Sequence, residues 1–233
     1  MPHKIFLIDD QIKVKIIKKR NNKNIRLALQ ADGLARVSIP YWTPYAVGLQ
    51  FAKSKKDWIL NNHSNSPLIS DGQQIGKNHR LSIISEDRLS IYSKVLNTEI
   101  VIKLPINDDL NDPATQSIIS KACVKALRMQ AEDLLPKRLE YLSNKHGFQY
   151  NSVSVKLLRS RWGSCDHKQN IVLNLYMMLL PWELIDYVLL HELTHTKIMK
   201  HGPEFWLSIK EILPEVSNIK KELRTYQPNL NKI

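Results

Sequence analysis

The chain is 233 residues long, 43% apolar and 24% charged, with 7 Gly and 11 Pro. That balance excludes collagen, a fibrous repeat and long disorder, and the length suits one large domain or two small ones with a real core. A net charge of +12 favours anionic partners through long-range attraction and says nothing about fold.

The first hundred residues read mainly as strands. Lys4–Lys19 and Ile25–Leu29 carry β-branched residues in alternation, Asp32-Gly33 marks a turn, and Leu34–Ile39 alternates again before Pro40. Basic residues crowd the stretch from Lys13 to Arg26, interleaved with Ile and Val. Such interleaving describes a strand with a solvated basic edge, and alternatively a surface for nucleotide or nonspecific nucleic acid. Between Pro44 and Asn62 the period becomes helical, with Val47, Phe51, Trp58 and Leu60 among lysines. Asp71-Gly72 and Gly76 punctuate a further strand region that includes Leu81–Ile84 and Ile100–Leu104. Pro105 and Asn107-Asp108-Asp109 then mark a boundary. The expected division is a β-rich N-terminal region of residues 1–108 with one helix, packed on a core of residues 109–233.

Asp112 is a helix N-cap with Pro113 at the first helical position, and apolar residues at helical spacing run from Ile119 through Leu142 to a stop at Gly147. Pro136 should kink or restart this helix. Two short strands follow, Val153–Leu158 and Ile171–Leu175, joined through Ser164–Asn170. Pro181 opens a helix that is apolar on almost every side until His191, so it is buried and its polar residues need a reason. The longest apolar run, Leu175 to Leu180, falls far short of the ~20 residues of a membrane span. Ile5–Ile8 is too short for a signal peptide, and two cysteines make no disulfide framework. A cytoplasmic chain with no membrane partner is expected, and no internal repeat is legible.

His191-Glu192-Leu193-Thr194-His195 has the H-E-x-x-H pattern. Residues four apart on a helix lie about 40° apart in azimuth, so both imidazoles project from one face and can share one Zn2+. Glu192 lies about 100° round from His191, where a carboxylate can take a proton from an activated water. A catalytic zinc needs a third protein ligand. The downstream candidates are His201, Glu204, Glu211 and Glu215. His201 stands just before Gly202-Pro203, where the helix must have ended and the chain can turn back; a glutamate ligand is the rival. The metzincin version of this spacing needs a Gly where this chain has Ile198, and a downstream Met that is missing, so that turn is rejected.

These blocks together resemble the YgjP-like metallopeptidases, small bacterial zincins related to SprT-like proteins. The resemblance is carried by Arg161-Trp162-Gly163-Ser164-Cys165, Asn174, the stretch from Asp186 to His195, and His201-Gly202-Pro203-Glu204-Phe205-Trp206. It extends to Val37–Pro40, Trp58-Ile59 and Asp71-Gly72 with Gly76, and so to nearly the whole chain. It implies one Zn2+ per chain held by His191, His195 and His201, with Glu192 catalytic. Thr194 stands where many relatives have Cys. The fold it implies is α+β with a zincin-like core of minimal gluzincin type: a long backing helix, a small β-sheet and the HExxH helix (181–199), after the β-rich N-terminal region. A substrate peptide would pair with an edge strand supplied by Asn170–Asn174 or by the Arg161–Cys165 loop. Arg161 and Asn174 either bind substrate or only fix that loop. Trp162 and Cys165 read as packing residues, Asp186 as an ion-pair or capping partner, and His3, His63, His79, His146 and His167 as surface or packing residues.

The first functional expectation is zinc-dependent hydrolysis of peptide bonds, with Glu192 as general base. A metal-dependent nucleotide pyrophosphohydrolase is the alternative, weakened by the absence of a phosphate-binding Gly-rich loop and by a histidine set ill suited to Mg2+. A DNA-associated, SprT-like protease is a further alternative, resting on charge.

Overall fold

The computed structural model describes residues 2–9, 12–29, 34–63 and 68–230, apart from the side chains of residues 29 and 61–63. The expected turn at Asp32-Gly33 and the side chain of His63 lie outside these described residues. The polypeptide forms two compact units, one of residues 1–68 and 109–117, the other of residues 69–108 and 118–233. The β-rich stretch 1–108 thus contributes to both.

In the first unit, strands β1 (His3–Ile8), β2 (Ile12–Lys19), β3 (Arg26–Leu29) and β4 (Ala35–Pro40) form a sheet in the order β1-β2-β4-β3. Helices α1 (Tyr45–Ser54) and α2 (Lys56–His63) follow. Alternation along β2 turns Ile12, Val14 and Ile16 inward to meet Val37, Ile39, Ala52 and Ile59. The strand that carries the lysines is interior to the sheet, so the expected basic edge is instead a solvated face: β2 pairs antiparallel with β1 and parallel with β4.

In the second unit, β5 (Gln74–Ile75), β6 (His79–Glu86), β7 (Tyr92–Val95) and β8 (Glu99–Pro105) pair in the order β5-β6-β8-β7. This repeats the strand order of the first sheet, including its parallel central pair, although no sequence repeat announces it. Helix α3 (Pro113–His146) starts where expected, with Asp112 Oδ2 accepting from the N–H groups of Ala114 and Thr115. It is continuous through Pro136. Leu127, Ala131, Leu135 and Leu139 are fully buried, so packing on one face holds the helix together where the proline removes a hydrogen bond. Leu135, not the half-buried Leu134, continues the apolar stripe. Gly147 takes a φ of 65° and lets the Phe148 N–H donate back to the Ser143 carbonyl, closing the C-terminus.

The remaining strands, β9 (Ser152–Lys156), β10 (Gly163–Cys165) and β11 (Asn170–Asn174), form a small sheet in the order β10-β11-β9. A 3-10 turn, Leu175–Leu179, leads to α4 (Trp182–His195), and α5 (Pro203–Ile212) and α6 (Val216–Leu223) complete the unit. Helix α4 touches β10, α5 and α6. Arg138 grips Asp186 through two hydrogen bonds of 2.7 and 2.6 Å and so ties α3 to α4, the ion-pair role expected of Asp186.

Candidate metal centre

Helix α4 buries Leu184, Ile185, Leu189 and Leu193 completely, which fixes its rotation and presents His191 and His195 on a different face. The helix stops at His195, four residues sooner than the sequence suggests. Thr196 and Lys197 make tightened bonds to the carbonyls of Leu193 and Thr194, the Thr196 hydroxyl also donates to Leu193, and the His195 Nδ1–H donates to the Ile198 carbonyl at 3.1 Å. Ile198 is not among the described residues with positive φ, so the turn needs no left-handed residue. This early stop leaves the five residues 196–200 in which the chain turns to bring back His201.

His201 Nε2 lies 3.0 Å from His191 Nε2 and 3.1 Å from His195 Nε2. Three nitrogens bound to one tetrahedral zinc at 2.0–2.1 Å would lie roughly 3.3 Å apart. Imidazoles this close cannot all satisfy one another. The bond from His195 Nδ1 leaves its Nε2 as a bare lone pair. His191 Nδ1 is buried with no hydrogen-bond partner. A shared cation resolves the close approach of three inward nitrogens, and an all-imidazole set suits zinc, so the residues fit the metal. Burial, with the neighbouring histidines, drives the His191 imidazole down to about 3, and burial also lowers His195. Both rings are therefore neutral at neutral pH, the form that can bind a metal. Among the described residues, His191, His195 and His201 make the cluster of ligand-type side chains; Glu204, Glu211 and Glu215 are not part of it.

Phe205, fully buried at the start of α5, lies under all three rings with centroid distances of 4.9, 4.6 and 4.7 Å. Trp206 stacks on His201. Pro203, at the first position of α5, sets the helix start that delivers both aromatics.

Glu192 is 5% exposed, and burial pushes its carboxyl up to about 8, with Arg161 pulling the other way. Its neighbour is β10: a Cβ built on Gly163 would come within 2.7 Å of Glu192 Oε1. Strand β10 is an edge and β11 is interior, so of the two stretches expected to offer a free edge only Arg161–Cys165 does. Asn174 is fully buried. Its Nδ2 donates to the carbonyls of Leu158 (2.9 Å) and Arg161 (2.8 Å), and its Oδ1 accepts from Tyr176 N–H. These bonds describe the loop-fixing alternative for Asn174. Arg161 is exposed.

Cys165 is half-buried and its thiol is raised to about 11 by burial, Glu192 and Asp166, which makes it no nucleophile at neutral pH. Thr194 is buried and donates to Leu190 within the helix. His79 is buried and bonded to Leu96 and Gln130, a packing residue; His3 and His167 are exposed and His146 is half-buried. Sequence reasoning did not find what Gly163 and Phe205 do at the site. A lone Gly in a stretch that pairs as a strand was the available signal for the first.

A family model described as YgjP-like, metallopeptidase domain, matches residues 23–226. Two solved structures resemble part of the chain. The metallopeptidase zymogen abylysin of Pyrococcus abyssi is 26% identical with a TM-score of 0.37, over 40% of this chain and 93% of that one. The metallopeptidase zymogen jannalysin of Methanocaldococcus jannaschii is 21% identical with a TM-score of 0.36, over 39% of this chain and 94% of that one. No curated protein matches the chain. The family match takes in both compact units and every residue of the histidine cluster: the chain belongs to the YgjP-like family of metallopeptidase domains.

Proposed function

We propose that this protein is a zinc metallopeptidase that hydrolyses peptide bonds, with one Zn2+ held by His191, His195 and His201 and with Glu192 as general base. The observation that carries the reading is the convergence of three imidazoles, with His201 Nε2 at 3.0 Å from His191 Nε2 and 3.1 Å from His195 Nε2 and all three ligand atoms within 4.8 Å of one another, one helical position away from a buried carboxylate. Bound zinc polarises a carbonyl and lowers the pKa of a water toward ~7. Glu192 takes up a proton from the attacking water at a carboxylate oxygen and hands it to the leaving nitrogen. Without the metal, burial holds this carboxyl at about 8 and so largely protonated at neutral pH; the positive charge of a bound zinc would lower it and supply the carboxylate that accepts the proton. The free edge of β10 offers backbone N–H and C=O groups to an extended polypeptide, and the exposed Arg161 precedes that strand by two residues. Among the described residues no helix is long and apolar enough to cross a membrane. We place the chain in the cytoplasm, which suits its two free cysteines.

The test is Glu192→Gln. The variant should retain one zinc per chain and lose roughly 10²–10⁴-fold in turnover of a quenched peptide. His191→Ala should lose both metal and activity. Undiminished hydrolysis by a zinc-loaded Glu192→Gln protein refutes the assignment.

A further inference from the structure

We propose that the surface around the histidine cluster selects polypeptide segments with acidic side chains, read by Arg161 on one side and Lys220 on the other. The inference rests on the peptidase reading above and names the substrate class for that site.

On the Glu192 side, Arg161 precedes by two residues the glycine that touches the carboxylate. Two extended residues span at most about 7 Å, so the arginine springs from backbone close to the reacting groups. Asn174 pins its carbonyl at 2.8 Å, which anchors the residue while the side chain stays exposed. No ion pair or hydrogen bond engages its guanidinium among the described residues. A planar fork held ready and left unpaired suits a carboxylate.

On the His201 side, Lys220 of α6 places its Nζ 3.8 Å from the Trp206 ring centroid, and that ring stacks on His201. Lys220 likewise makes no ion pair among the described residues. Its charge reaches His191, as that of Arg161 reaches Glu192. Glu192 feels the charge of Arg161, but no ion pair within 4.0 Å joins the two among the described residues. Asp166 accepts from Lys168 N–H and Asn170 N–H inside its own turn, Glu215 accepts from Asn218, and Glu204 sits in the first turn of α5, where the helix N-terminus holds it. Two cations without an ion pair, one just before β10 and one on α6, favour a chain with carboxylates on either side of the bond to be cut.

Three quenched peptides differing only in flanking residues, Glu, Gln or Lys, test this. Zinc-loaded protein should cleave them in the order Glu, Gln, Lys, with about tenfold between the extremes in kcat/KM, shrinking at high salt. Arg161→Gln should compress that ratio, Arg161→Glu should invert it, and Arg161→Lys should keep the order, all with unchanged zinc content. Fluorescence anisotropy on the inactive Glu192→Gln protein should show tighter binding of the Glu peptide. Equal cleavage and equal binding of all three peptides overturns the acidic preference and leaves the peptidase reading standing. Selective binding of the Glu peptide with no cleavage by the wild-type protein upholds the preference and removes the peptidase reading. Selectivity that survives Arg161→Glu and Lys220→Glu together also overturns the proposal.

Discussion

Gly163 and Glu192 are in contact across the gap between strand and helix: a Cβ on the glycine would sit 2.7 Å from the carboxylate Oε1 and 2.8 Å from the side-chain Cγ. The glycine is not one of the chain's positive-φ residues. What the position requires is the missing side chain, which leaves room for a carboxylate that is itself 5% exposed and has little space to retreat.

Gly163→Ala should therefore displace the Glu192 side chain while leaving the histidines in place. The expected result is a kcat lower by about tenfold or more at unchanged zinc stoichiometry, with a stability loss of about 1–3 kcal/mol from overpacking. Single-turnover rates and metal analysis on the same preparation check it. Wild-type kcat in a folded, zinc-loaded variant would show that the carboxylate yields without consequence.

Phe205 supports the cluster from below. Phe205→Ala removes a fully buried ring and should destabilise the metal-free protein by about 3–5 kcal/mol. With the imidazoles no longer held, zinc affinity should also fall, by about tenfold. Urea unfolding in chelator and competition with a chromophoric chelator measure the two separately. In the wild type, stripping the metal should lower the melting temperature, because a ligand bound only by the native state stabilises it.

Asn174→Ala would leave the carbonyls of Leu158 and Arg161 and the N–H of Tyr176 without their partner. Each buried group left unsatisfied costs about 1–3 kcal/mol. The loop 158–161 should then open locally, visible as faster exchange of the Leu158 and Tyr176 amides, which lose the Oδ1 acceptor, and of the amide at position 174, which donates to the Trp162 carbonyl.

The thiols should be sluggish. With Cys165 at about 11 and Cys123 at about 12, burial has raised both above an ordinary cysteine near 8.5, and a raised thiol pKa disfavours the reactive thiolate. At pH 8 the thiolate fraction of Cys165 is about 0.1%, against about a quarter for a free cysteine. Alkylation of Cys165 should climb roughly tenfold per pH unit between 8 and 10, followed by mass spectrometry. Rapid labelling at pH 7 would contradict the environment described.

Some elements were legible because their causes are neighbours in the chain. Asp112 and Pro113 announced the start of α3 and Gly147 its end. Other features were misread for lack of partners. The lysines of β2 looked like an edge because alternation gives the faces of a strand and not its neighbours. Strand β7 went unseen, and the three residues of β10 are too short to show a period. The end of α4 depends on bonds made by Thr196 and Ile198 in the folded turn.

From the chain alone came the pairing of His191 with His195, since a four-residue interval on a helix is a matter of local geometry, together with the choice of His201 as third candidate. Tertiary structure decided the distances among the three nitrogens, the interior place of β11, the closeness of Gly163 to Glu192 and the grip of Arg138 on Asp186. Helical period is set by bonds four residues apart and can be read in a short window. Strand order and side-chain contact join residues tens of positions apart, and only the folded backbone brings those together.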